Sequence, residues 1–344
     1  MTSVQVLPFG ARGPLSSRVL NALTGRGPVE GLLDVAENAA AGSPDPVRDD
    51  DVQLALFALY AQSYGSLPQL DPALEWSAEL IQVRTRLESA FEAELRRQVT
   101  VPGLPAPQAD TVADALFALT TDPGGPSLAK YVAKKATADQ VQELMIQRSI
   151  YTLREADPHT WAIPRLTGRP KAALVEIQSD EYGGGSPQRV HQQIFAGALR
   201  AMGLGDTYGQ YVDYVPAITF ASFNMMSMFA LNRRLLGAIV GHLAAYEMTA
   251  SIPCRLYADG LRRHGAPAEA TWYFDEHVEA DAVHEQIAAR DLAGTLAEDR
   301  PELIADIMFG AAACLEVDGA MGEHILTAWR AGDSSLVRRL AVAA

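Results

Sequence analysis

Lysine, cysteine and basic charge are all scarce in this chain of 344 residues. Only Lys130, Lys134, Lys135 and Lys171 are lysines, and 28 Lys+Arg face 42 Asp+Glu, a formal net charge of −14. A protein that neutralises nucleic-acid phosphates needs a basic face, so no nucleic-acid partner is expected. Two cysteines, Cys254 and Cys314, are too few for a disulfide scaffold; both lie in apolar, helical-looking sequence, which predicts buried free thiols in a reducing compartment. A basic segment followed by an apolar one is missing from the first residues, so no secretory signal is expected. The most apolar run, Ala217 to Leu231, carries Asn224 and is too short to cross a bilayer. These absences predict a cytoplasmic protein without a membrane partner. Alternating strand patterns joined by hairpin turns are lacking as well.

What is present is helical periodicity. With 48% hydrophobic residues the chain can bury one large core or two modest ones. Apolar residues at three- and four-residue spacing predict helices over 49–60, 71–98, 111–119, 137–156, 170–182, 187–202, 216–231, 235–264, 267–297 and 301–330. Thr137 with Asp139 in the following turn opens one of them, and Pro102 to Pro107 reads as a linker. The expectation is an all-α bundle, with a helical N-terminal elaboration over 1–135 and a core over 136–344.

Four places carry chemistry. In Tyr273-Phe-Asp-Glu-His-Val-Glu-Ala-Asp-Ala-Val-His-Glu285, His277, Asp281 and His284 sit at i, i+4 and i+7. At about 100° per residue they fall within roughly 60° of one another on one helix face. Two imidazoles and a carboxylate there suit a first-row transition metal, although acidic runs more often face water. In the second, a helix closes at Glu181-Tyr182, three glycines turn the chain, and Ser186-Pro187 opens the next helix with His191 one turn in. Third, Glu247 stands among Leu243, Ala244, Met248 and Ile252; a buried carboxylate needs a cation, with Arg233 or Arg255 the plainer partner. Fourth, Glu155 ends a helix just before Pro158, where Arg154 and Asp157 suggest a surface ion pair. Together they supply three imidazoles and four carboxylates on separate core helices, the way helix bundles build two-metal carboxylate sites. Tyr182 and Tyr246 adjoin two of these residues and either support them or simply pack.

This set resembles the haem-oxygenase-like di-iron oxidases and oxygenases, also called iron-containing redox enzymes. The likeness spans roughly residues 155–330. It rests on Glu181 and His191 ten apart, mid-helix Glu247, the His277, Asp281, His284 cluster, and the DEYGGG phrase before His191. The resemblance implies a seven-helix haem-oxygenase-like bundle that binds two Fe(II) ions and no haem, with O2 as co-substrate. It implies that Glu155, Glu181, His191 and Glu247 furnish one iron and the bridge, and that His277, Asp281 and His284 complete the pair. Glu155, as the extra carboxylate, resembles the family's N-oxygenating members. The leading expectation is therefore N-oxygenation of an amine or guanidine in an amino-acid-like or small heterocyclic metabolite. The alternative is oxidative C–C cleavage, decarboxylation or desaturation of an amino or fatty acid. A non-enzymatic helical binding protein is the third reading. No flavin or ferredoxin motif is present, so an external electron donor is expected, and homodimerisation through exposed apolar faces is allowed for.

Overall fold

The computed structural model describes residues 7–121 and 126–338, the side chains at 279–282 excepted. Among the described residues there is no strand, and the all-α expectation holds. Contacts divide the chain into two units. The first takes in residues 7–98, 207–225 and 336–338; the second takes in 99–206 and 226–335. Residues 99–135, assigned from sequence to the N-terminal elaboration, thus group with the larger unit.

The first unit holds α1 (Pro14–Leu23), α2 (Leu32–Gly42), α3 (Asp50–Tyr64) and α4 (Ala78–Gln98). Helix α3 is apolar on every side and buried from Val52 to Gln62, so it forms the middle of this unit. Asp49 caps it by accepting from the Asp51 and Val52 amides. Phe57 packs on Phe220 and Phe223, and buried Asn224 donates to Gln53 Oε1 at 2.8 Å. The helix expected from residue 71 begins at Ala78 instead, because Pro72–Leu74 forms a separate 3-10 turn capped by Asp71.

The second unit holds α5 (Ala109–Thr120), α6 (Leu128–Lys134), α7 (Ala138–Thr152), the short α8 (Asp157–Thr160), α9 (Gly168–Glu181) and α10 (His191–Ala201). Helix α11 (Ala217–Leu231) contributes its last residues, followed by α12 (Leu236–Arg263), α13 (Ala268–Gln286), α14 (Thr295–Asp299) and α15 (Ile304–Ala331). Thr137 and Gln140 form the capping box that opens α7. Its end falls at Thr152 rather than at residue 156, and a turn over 153–156 leads into α8. Helix α12 is the central rod, packed by α6, α13 and α15. It crosses α15 at Gly241 and Gly310, where a methyl group would lie 1.9 Å from the Ile307 carbonyl and 2.0 Å from that of Ala238. The stretch Arg233–Arg263 is long and apolar enough to span a membrane, its most apolar 18-residue window having mean hydropathy 1.3, but 67% of that window is buried inside the protein. With Glu247 and His242 also turned inward, it is a core helix.

Candidate metal centre

The centre is built around one turn. Helix α9 delivers Glu181 as its last residue, and the chain then reverses through Gly183, Gly184 and Gly185, all at positive φ. Gly183 cannot be replaced cheaply: at φ +78° an added methyl group would meet the Arg189 carbonyl carbon and the Val190 nitrogen at 2.7 Å. Pro187–Arg189 forms a 3-10 turn and Val190 caps α10. His191 is therefore the first residue of its helix, not one turn inside as the sequence suggested. The tight turn brings His191 Nδ1 to 3.0 Å from Glu181 Oε2.

Three other segments converge on that pair. Glu155 arrives from the turn between α7 and α8, Glu247 from the middle of α12, and His277 and His284 from α13. Donor atoms of Glu155, Glu181, His191 and His277 all lie within 4.8 Å of one another, and so do those of Glu181, Glu247 and His284. Glu181 belongs to both groups. All six residues are buried. Asp281 falls outside the described residues. Glu155 is buried and not a surface partner of Arg154, which pairs instead with Asp157 at 2.9 Å. Glu247 meets His284 Nδ1 at 3.4 Å in place of an arginine.

The charges in this cluster are unbalanced. Burial and the Glu181 carboxylate push Glu155 up to about 8. Burial likewise raises Glu247, partly offset by the His284 imidazole beside it. Burial opposes ionisation of Glu181 too, but the neighbouring imidazoles of His191, His277 and His284 outweigh it and hold its carboxyl low. Burial and the charge of His191 depress His277 to about 4, so its imidazole is neutral near pH 7. Four atoms (Glu155 Oε1, Glu181 Oε2, His191 Nδ1 and His284 Nδ1) are buried without an aligned hydrogen bond. Orphaned polar atoms facing one another are costly in a protein interior unless a cation joins them. Carboxylate oxygens and imidazole nitrogens are donors that suit iron, so the residues fit a metal.

A surrounding layer fixes these donors. His277 Nδ1–H donates to the Tyr273 carbonyl at 2.7 Å, which leaves Nε2 for the cluster. His284 Nε2–H donates to the Asp180 carboxylate at 3.0 Å and leaves Nδ1 free. The Tyr273 hydroxyl donates to Glu155 Oε2. Sequence reading missed Tyr273 and Asp180, although Tyr273 stands one turn before His277 on the same face. His159 and His242, without a pattern in the sequence, meet at 3.4 Å beside the centre, both kept neutral by burial. Tyr182 is 39% exposed and its hydroxyl engages Thr160 and Asp157 rather than the cluster. Tyr246 stacks on Tyr151 at 5.0 Å and accepts from Arg148.

An all-α fold around a buried carboxylate–imidazole cluster defines a helical metalloprotein. The sequence pattern described as iron-containing redox enzyme matches residues 142–319, half of the chain, and the protein belongs to that family. It is an oxidoreductase. The chain is also 26% identical over 146 residues to a nitrosourea synthase of Streptomyces achromogenes subsp. streptozoticus. That match covers 42% of this chain and 31% of the relative, so it spans about a third of the relative's length. Two crystal structures of a CADD-like protein of unknown function from Nostoc punctiforme share the fold, each with a TM-score of 0.50. Their identities are 16% and 14%, over 64% and 68% of this chain and 97% and 99% of theirs.

Proposed function

We propose that this protein is an O2-dependent di-iron oxygenase that oxidises an amine or guanidine nitrogen of an amino-acid-like or small heterocyclic metabolite. The observation that carries the reading is that two metal-sized donor groups share Glu181. The six donors fall into two groups rather than one, and a carboxylate common to both suits a bridge between two ions. Asp281, one turn from both His277 and His284 along α13, is proposed as a further ligand. The presence of Glu155 as an additional carboxylate supports nitrogen as the atom oxidised, as does the likeness to a nitrosourea synthase.

Two adjacent iron ions would supply the electron transfer between O2 and substrate, and the protein supplies the surroundings. Glu155, Glu181, His191 and His277 would hold one ion, with Glu181, Glu247 and His284 holding the other. Tyr273 and Asp180 fix the tautomers and orientations described above. The cavity directly at the centre, lined by Glu155, Glu181, Glu247 and His277 among others, is about 10 Å³. That is the room of about one water, and the donors around it are buried. Electrons for turnover come from an external donor.

Anaerobic loading with Fe(II) should give two ions per chain in the native protein. Glu181→Ala should lose both and Glu247→Ala one. Turnover of candidate amines under 18O2, followed by mass spectrometry, should place the label on nitrogen. A shortened carbon skeleton or an alkene would overturn nitrogen oxidation, and fewer than one iron per chain would overturn the centre.

A further inference from the structure

We infer that Arg148 is the anchor for a substrate carboxylate, and that the cavity it lines is the chamber where the small-molecule substrate is held. The inference rests on the function proposed above and gives it a substrate class. The space at the donor cluster, about 10 Å³, admits no metabolite. Beside it lies a cavity of about 570 Å³, bounded in part by Arg148, Tyr246, Thr249, Cys254, Tyr257 and Asp318. That volume is in the range of small-molecule sites. Tyr246 borders both spaces and precedes Glu247 in α12, so the chamber reaches the wall of the centre.

Arg148 is an unusual occupant of such a wall. Its guanidinium sits 5.5 Å from the Tyr257 ring centre and 5.9 Å from that of Phe274, contacts that hold the group in place without neutralising it. Its Nη2 donates to the Tyr246 hydroxyl at 3.4 Å, while its Nε is buried with no hydrogen-bond partner. Among the described residues it forms no ion pair. A half-buried cation whose Nε is buried and unpaired is costly to leave this way, and a planar carboxylate offers two acceptors matched to its fork. The same cavity is lined by Asp318 and Glu323, which would repel a phosphate dianion but tolerate a monoanion that also bears a basic nitrogen. Another large space, about 440 Å³ beside Asp180 and His191, contains Arg189, but that cation is already paired with Glu276 at 2.5 Å.

The test is ligand-observed NMR on the full-length, iron-loaded protein without oxygen. The probes are the proteinogenic L-amino acids, their carboxamides, and inorganic phosphate. At least one amino acid should bind, its amide at least about tenfold more weakly, and phosphate should not displace it. R148Q should lose the preference for acid over amide while keeping its iron. R148K, which preserves the charge and guards against a folding defect, should lose only the bidentate part, a few-fold. The proposal is overturned if no amino acid binds, if acid and amide bind alike, if phosphate displaces the acid, or if R148Q still discriminates. Iron assays on the same samples separate the two readings. Iron without acid preference sinks the anchor alone, whereas an acid preference lost in R148Q in protein that takes up no iron sinks the metal centre and leaves the anchor standing.

Discussion

Tyr273 and Glu155, 118 residues apart, are joined through one carboxylate oxygen: the hydroxyl donates to Oε2, and Oε1 stays without a partner among the donor atoms. The tyrosine thus turns Glu155 so that its other oxygen faces His277 Nε2, 3.8 Å away. Tyr273→Phe should lower iron affinity about tenfold, in line with the loss of other groups that orient ligands. The ring would still pack on Phe195 at 5.1 Å and Phe274 at 5.3 Å, so the fold should persist. Anaerobic Fe(II) titration with a parallel near-ultraviolet dichroism spectrum checks both halves. Unchanged affinity would remove Tyr273 from any positioning role.

Asp180 offers a cleaner separation of binding from stability. Its side chain is 59% exposed, yet it fixes the buried His284 ring. Asp180→Ala should therefore cost no more than about 0.5 kcal/mol of stability. Iron should weaken by about tenfold because the ring is no longer held with Nδ1 inward. His284→Ala should abolish the second ion altogether. Thermal denaturation and iron quantification of both variants provide the comparison, and an Asp180→Ala protein with full-strength iron binding would show the contact to be idle.

The three glycines of the turn should not be equivalent. All have positive φ, but only at Gly183 does an added methyl group collide with backbone; at Gly184 and Gly185 nothing lies within 4 Å. Gly183→Ala should cost about 2 kcal/mol or more and displace Glu181 from His191, with loss of iron. Gly184→Ala and Gly185→Ala should pay only the conformational strain, about 1 kcal/mol, and keep their metal. Calorimetry of the three variants, with iron content alongside, tests the order.

The donors that sequence revealed are those announced by local pattern. His277 and His284 share a helix face, Glu181 and His191 flank a glycine turn, and Glu247 stands alone in an apolar stretch. Glu155 was legible only in company, because its immediate neighbours Arg154 and Asp157 pair with each other and read as surface. Pairings across long separations left no trace in the chain: Asp180 with His284 spans 104 residues, and His159 with His242 spans 83. Each depends on how helices pack, and packing has no local periodicity. Arg148 was invisible for the same reason, since one arginine in an amphipathic helix looks solvated until the neighbouring helices enclose it. The position of His191 at the helix start was misjudged because Pro187 was read as opening an α-helix, whereas it opens a single 3-10 turn.

Iron must compete with protons at this centre. In the metal-free protein burial and the Glu181 charge raise Glu155 to about 8; burial opposes protonation of His191 and His284, but Glu181 and Glu247 beside them raise both to about 9. Below those values the groups carry protons that the metal displaces, so affinity should climb as pH rises from 6 to 8 and binding should release protons. A metal that binds only the folded chain stabilises it by about 2.7 kcal/mol when free ion is at a hundred times its Kd. The gain in Tm on adding Fe(II) to chelator-treated protein should consequently be larger at pH 8 than at pH 6 for a fixed free-iron concentration. Anaerobic scanning calorimetry at the two pH values measures the difference, and titration calorimetry in buffers of unlike ionisation enthalpy counts the protons. A gain that is equal at both values, or greater at pH 6, would mean that these carboxyl and imidazole groups are not the ones the metal displaces protons from.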